Sequence, residues 1–273
     1  MRRLPLSSRT PLPRTDLLGD CHSCVGLCCT VFGFSRSRDF ATDKPAGTPC
    51  PHLASDFGST IHDALAPRGY RGCTAFDCFG AGQAATARVP GHLTGAVFPR
   101  MKQLHEMLWY LHEVTDRALD PDDIADAADL AATISGFTRL EASELLTLDL
   151  GEVHEQVRAL LVDVSDALRA SYHATGTLDP RLHPGADLAG RPLRGRVLCG
   201  VDLRGACLIG TDLRGSDLSA VDLLGADLRD ARLDGADLSS ALYLTGPQLA
   251  AARGDRDTLL PHWVPIPQWG RHW

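Results

Sequence analysis

At 273 residues, with 44% apolar and 22% charged side chains, the chain has the composition of a folded globular protein with room for two or three small domains. Its net charge of −7 argues against a general attraction to nucleic acid or acidic membrane. No apolar run approaches the ~20 residues that a membrane-spanning helix needs.

The opening stretch, MRRLPLSSRTPLPRT, carries arginine, proline and serine but no apolar h-region. It does not read as a secretory signal. Residues 1–19 are therefore expected to form a flexible tail and the protein to be cytoplasmic.

Residues 20–95 hold seven of the nine cysteines. Four of them fall in CHSCVGLCC, at Cys21, Cys24, Cys28 and Cys29. Thiols in a cytosol stay reduced, and nine is an odd number, so a metal site is expected rather than a disulfide framework. On a helix the first three would lie on one face; in a turn Cys21 and Cys24 would form a knuckle eased by Gly26. Cys50 opens CPHL, and Cys73 and Cys78 frame CTAFDC. Sulfurs from all three stretches are expected to meet around one ion. Four thiolates suit tetrahedral Zn²⁺, which would staple a segment too small to build its own core. Four cysteines also suit an iron–sulfur cluster, though the spacing is not the ferredoxin C-x2-C-x2-C-x3-C-P run. Zinc is the preferred reading. The alternatives are buried free thiols acting as small hydrophobes and a redox pair at Cys21 and Cys24, which lacks its usual βαβ setting. Asp77, beside Cys78, has a place from which to orient a ligand.

Residues 96–178 read as helical. Met101, Leu104, Leu108, Leu111 and Val114 form one apolar stripe. Asp120 followed by Pro121 is an N-cap with proline at the first helical position. Val153, Val157, Leu160, Val164 and Leu168 mark a third helix. His105 and His112 share a face, but H-E-x-x-H is absent, so both, like His154, are read as packing or surface residues.

From 186 to 245 the chain falls into twelve units of five. Leucine is central in eleven and Tyr243 in the last; a small residue precedes the centre by two in ten; glycine closes eight. Neither a 3.6 nor a 2.0 period explains this, whereas a coil turning a corner after every unit does. Arg194 and Arg214, four units apart, should stack on one face with Asp234 next in line, forming either a small binding stripe or a charge-compensated solvated face. Cys199 and Cys207 lie on opposite outward faces. Residues 246–273 should supply a cap, with Pro247 opening a short helix and Gly254 ending it, because the last coil would otherwise expose an unpaired edge.

These units resemble the pentapeptide-repeat family, whose consensus is close to A-(D/N)-L-x-x. The resemblance implies a right-handed, square-sectioned β-helix of four units per turn, hence about three coils here. Some members imitate duplex DNA to protect DNA gyrase. Three coils spaced about 4.8 Å apart make only ~15 Å, against ~34 Å for one turn of B-DNA. Nine Asp balanced by seven Arg also differ from a duplex with a charge every ~1.7 Å. Gyrase protection is therefore the weaker alternative. Residues 21–83 resemble the zinc- or iron-chelating cysteine-cluster family, and VGLCC, ATDKPAGTPCPHL, IHDAL and GCTAFDCFGAGQ are more narrowly similar to the N-terminal module often joined to pentapeptide repeats in bacteria. That resemblance implies cysteine where Ser59 stands, so a ligand is missing and a second metal is in doubt; His52 and His62 are the candidates to compensate.

No P-loop, G-x-S-x-G or kinase signature occurs, and FGAGQAA lacks the dinucleotide-binding frame. The expected architecture is α+β and multi-domain: cysteine-rich metal module, helical middle, short β-helix and cap. The expected function is a metal-binding, cytoplasmic adaptor that recognises another protein. The alternative is an iron–sulfur redox or metal-dependent enzyme. Substrate and oligomeric state are not legible.

Overall fold

The computed structural model describes residues 11–172, 179–264, 267 and 269. The chain forms two units. One comprises Met1–Cys73 and Asp77–Val162, and the other Thr74–Phe76 and Asp163–Trp273.

In the first unit, chain order runs through α1 (Leu27–Val31), α2 (Arg71–Thr74, ending just inside the second unit), α3 (Ala81–Arg88), α4 (Gly91–Arg117), α5 (Pro121–Phe137), α6 (Ala142–Thr147) and the start of α7 (Gly151–Ala170). The α4 stripe is buried as its spacing predicts: Met101, Leu104, Leu108, Leu111 and Val114 are each at most 1% exposed. The helix begins earlier than the sequence suggests and runs through Pro99. A proline there sacrifices one backbone bond and crowds the carbonyl four residues back, which belongs to Gly95. Burial of Val97 and Phe98 just before it offsets that loss. Asp120 caps α5, its carboxylate accepting the Asp122 amide at 2.9 Å. The helical region thus extends before residue 96, through α3 and the start of α4.

Residues 11–19 are not a tail. A 3₁₀ turn at Arg14–Leu17 buries Leu17 completely, and the Leu12 carbonyl accepts from His112 Nε2 at 2.7 Å. The Asp16 carbonyl lies so close to Gly80 that a Cβ there would be 2.0 Å away, and Gly80 has φ 76°; only glycine fits. The rest of the expected tail, residues 1–10, lies outside the described residues. Between 20 and 73 regular structure is sparse: one 3₁₀ turn at Cys21–Ser23, α1, a 3₁₀ turn at His62–Ala64, α2 and two isolated bridges, Phe34 with Lys44 and Leu53 with Ser59.

The second unit is the coil. Parallel bridges join residues twenty apart, among them Asp187 with Cys207, Asp202 with Asp222 and Asp222 with Leu242. Twenty residues is four units per turn. The bridges stay isolated: the described residues contain no continuous strand, because each side gives one bridging residue before the chain turns. Leucines 203, 208, 213, 218 and 223 are buried in the centre. The small residue two positions earlier also points inward, and where it is polar it finds a carbonyl: Thr211 Oγ1 donates to Leu188 O and Ser216 Oγ to Leu193 O, both at 2.8 Å.

Beyond the repeats, α8 (Gly246–Ala251) carries a capping box between Thr245 and Gln248. The Gln248 amide also donates to Leu223 O at 2.8 Å and Ala226 O at 3.0 Å. Arg253 and Leu259 then pair with Arg232 and Asp237, continuing the ladder over the last coil. Gly254 does not end α8, which stops at Ala251. Its glycine is needed for close approach, since a Cβ would meet the Trp269 ring at 2.6 Å.

Candidate metal centre

All seven N-terminal cysteines are free thiols in the first unit; Cys21 is exposed and the others half-buried. The sequence reading placed them around one ion. The structure instead strings them out, and among the described residues no three His, Cys, Asp or Glu side chains are gathered closely enough to hold a metal. One reason is local. Gly26, with φ 66°, starts α1 only after Cys21 and Cys24, so the four early cysteines do not share one helix face.

Electrostatics traces the string. Burial, then Cys78, Cys24 and Cys29, push the Cys21 thiol up. Cys28 lies 3.9 Å from Cys29 and donates to it; this bond, with burial and the charges of Cys29, Cys21 and Cys78, raises Cys28 strongly. The same bond lowers Cys29 to about 7. Burial, then Cys29 and Cys50, raise Cys73 to about 11.

Gly82, in the first turn of α3, leaves room for two sulfurs: a Cβ there would lie 2.9 Å from Cys24 Sγ and 3.8 Å from Cys78 Sγ. Burial raises the Cys78 thiol, against the pull of the Gly82 and Gly80 amides, which donate to its sulfur. The Cys50 amide donates to Cys29 O at 2.9 Å. This all-sulfur donor set, half-buried and supported by backbone amides, fits a soft cation in its chemistry. The side chains do not form a closed coordination shell as they stand.

The accessory candidates fall elsewhere. His52 Nε2 is 3.2 Å from the Tyr70 hydroxyl, and His62 is exposed. Ser59 is engaged in its own turn, its Oγ accepting from the Ile61 amide at 3.4 Å. Asp77 likewise serves its turn, accepting from the Phe79 amide at 2.8 Å. His105 is fully buried with Nδ1 2.7 Å from Phe79 O, which is a packing role.

On the coil, Arg214 is held bidentately by Asp212 at 2.7 and 2.6 Å. The same Asp-Leu-Arg pairing recurs at Asp202–Arg204 and Asp227–Arg229. Arg194 is exposed, and Asp234 reaches Arg214 only as a neighbouring charge. The stripe is therefore largely compensated within its own units. Sequence reasoning missed two features. Lys44 is buried beside the thiols, and its one signal was Pro45, which holds the preceding residue extended. Asp222, fully buried, accepts from Ser165 Oγ at 2.5 Å; its unit reads V-D-L like the others and gave no signal.

The family model described as pentapeptide repeats matches residues 185–219 and 214–242, with eight copies. The chain is also 46% identical over 269 residues to the uncharacterized protein YybG of Bacillus subtilis (strain 168), covering 94% of this chain and 95% of that protein. The chain belongs to the pentapeptide-repeat family. Among solved structures, this pentapeptide-repeat protein is 30% identical to the pentapeptide repeat protein Rfr23 of the cyanobacterium Cyanothece 51142, over 28% of this chain and 54% of that one, with a TM-score of 0.23. It is 30% identical to alr5209, a pentapeptide repeat protein from Nostoc Pcc 7120, over 38% of this chain and 84% of that one, with a TM-score of 0.12. The likeness to YybG extends far beyond the repeats, so this pentapeptide-repeat protein shares its cysteine-rich and helical regions with a relative. No helix among its described residues is long and apolar enough to cross a membrane.

Proposed function

We propose that this pentapeptide-repeat protein is a metal-binding adaptor, in which the N-terminal thiols hold zinc and the coil docks onto another protein in the cytoplasm. The observation that carries the metal is the thiol content: seven cysteines in one unit, none in a disulfide. A segment with so little regular structure and so small an apolar core gains most from a bound ion, since metal binding adds directly to folding free energy. The module's likeness to the zinc- or iron-chelating cysteine-cluster family points the same way. The adaptor role rests on the coil, whose faces are rigid, paired and nearly neutral.

Metal analysis of the full chain, purified without oxygen, tests this. Stoichiometric zinc in a colourless protein supports the reading. A brown protein bleached by reductant replaces it with the iron–sulfur redox alternative, which the all-sulfur donor set equally allows. Folded protein without a stoichiometric transition metal overturns both. Gyrase protection, weaker on length and charge, falls if supercoiling proceeds unchanged in the protein's presence.

A further inference from the structure

Bridges between residues about twenty apart divide the coil into four ladders, one to a face. Three of them carry an Asp-Leu-Arg pair: Asp227 holds Arg229 on the first, Asp212 holds Arg214 on the second, and Asp202 holds Arg204 on the fourth. The third ladder runs Val197, Asp217, Asp237 and Leu259. Its rungs are closed by backbone bonds, from Asp217 N to Arg196 O at 3.0 Å, and from Asp237 N to Ser216 O and Leu259 N to Ala236 O, both at 2.9 Å. Two residues after each aspartate, where the other faces place arginine, stand Ser219 and Ser239. Asp217 Oδ1 accepts the Ser219 amide and Asp237 Oδ1 the Ser239 amide, both at 2.9 Å. The Cys199 thiol also bonds Asp217, and the Ser239 hydroxyl donates to Asp237 at 2.6 Å. All of these donors are neutral, and among the described residues neither carboxylate meets a basic side chain. The arginines close to the ladder's ends, Arg196 beside Val197 and Arg256 before Leu259, lie toward Asp179 at 3.6 Å and Asp257 at 3.8 Å.

Those ends are apolar and bare. Val197 is 78% exposed and Leu259 52%, the two most exposed large apolar side chains among the described residues of this unit. Scattered apolar residues on a surface need no explanation, but these two bracket an uncompensated pair of charges on one ladder. We propose that this face is where the coil docks, and that its partner is an α-helix of another protein presenting apolar, basic, basic and apolar side chains on four successive turns. This rests on the adaptor reading above and deepens it. The spacing selects a helix. Rungs stand about 4.8 Å apart and helical turns about 5.4 Å, so over three intervals the two drift by only about 2 Å. An extended segment, whose like-facing side chains recur every ~7 Å, drifts by about 6 Å and loses register. Opposite charge at the centre fixes register and speeds encounter, and burial of Val197 and Leu259 holds the two ends. So short a face makes a transient contact rather than a permanent one.

The test uses the full chain and the fluorescence anisotropy of a labelled helical peptide bearing leucine, lysine, lysine and leucine on successive turns. This peptide should bind, and one with glutamate in place of both lysines should not. D217N/D237N keeps the oxygens that hold the Ser219 and Ser239 amides, so the turns are preserved. It should weaken the lysine peptide about 2–30-fold, the worth of two exposed ion pairs, and D217K/D237K should abolish binding. Added salt should weaken the parent and leave D217N/D237N nearly unchanged. V197S/L259S should also bind less tightly. D212N/D227N alters net charge equally but on two other faces, and should bind as the parent does. Equal losses in the two asparagine pairs reduce the effect to net charge and overturn the proposal. A loss confined to D212N/D227N keeps a docking coil but overturns this face. A parent chain that binds no lysine peptide overturns the face as well, while the metal half of the adaptor reading is decided separately by the zinc content of the purified chain.

Discussion

The coil and the cysteine-rich segment solve the same problem by opposite means. In the coil each five-residue unit carries its own share of core, a leucine and a small residue turned inward, and every coil hydrogen-bonds to the next at a twenty-residue interval. Stability there is close to a sum of like terms. Residues 20–80 repeat nothing. They stack a half-buried Phe34–Phe40 pair with centroids 4.1 Å apart and bury Tyr70 and a charged lysine. The coil holds itself together by local repetition, whereas the segment relies on contacts between residues distant in sequence and gains from whatever binds its sulfurs.

The largest effect that would break this contrast is metal removal. A strong chelator under reducing conditions should melt the cysteine-rich segment while the coil persists, giving two calorimetric transitions where the loaded protein has one or two at higher temperature. A single unchanged transition would make the segment as self-sufficient as the coil. Next, Leu213→Ala, at the centre of the coil and 1% exposed, should cost about 2–5 kcal/mol, read by denaturant unfolding of the coil.

Asp222 gives a pH signature confined to the coil. Burial raises its carboxyl to about 6, against the pull of Ser165, the Leu224 amide and Arg204, and with Asp202 adding to the rise. A raised folded pKa means that its contribution is fully present below about 4 and is lost as pH rises through 6. Asp222→Asn should therefore stabilise the coil by about 2–3 kcal/mol at pH 8 relative to its effect at pH 4. A pH-independent difference between the two proteins would remove this account. Gln248→Ala, which frees two carbonyls at the end of the coil, should cost about 1–3 kcal/mol. Smallest is the cysteine contrast: Cys24→Ser should lower the melting point of the N-terminal segment by several degrees, and Cys199→Ser, half-buried on the coil, should change it by less than about one. Equal shifts would count against ligation by Cys24.

Legibility follows the same divide. The leucine period gave the coil and its need for a cap, because each instruction is local and repeated, while four units per turn came from the resemblance to the pentapeptide-repeat family. The α4 stripe and the Asp120–Pro121 cap were equally plain. The start of α4 was not, because Pro99 reads as a breaker until Val97 and Phe98 are seen to be buried. Leu17 looked like part of a tail, since its partners lie in other parts of the chain. The cysteines were visible as a group, but their order in space was not.

What the amino-acid sequence determined by itself is the repeated part of this protein and the concentration of sulfur near its N-terminus, since both are properties of neighbours along the chain. Only the tertiary structure decided that the sulfurs do not gather at one point, that Lys44 is enclosed by backbone carbonyls, and that Asp222 alone among the repeat aspartates is buried against a serine. Those facts depend on which distant residues exclude water from a charge, and no local pattern encodes that.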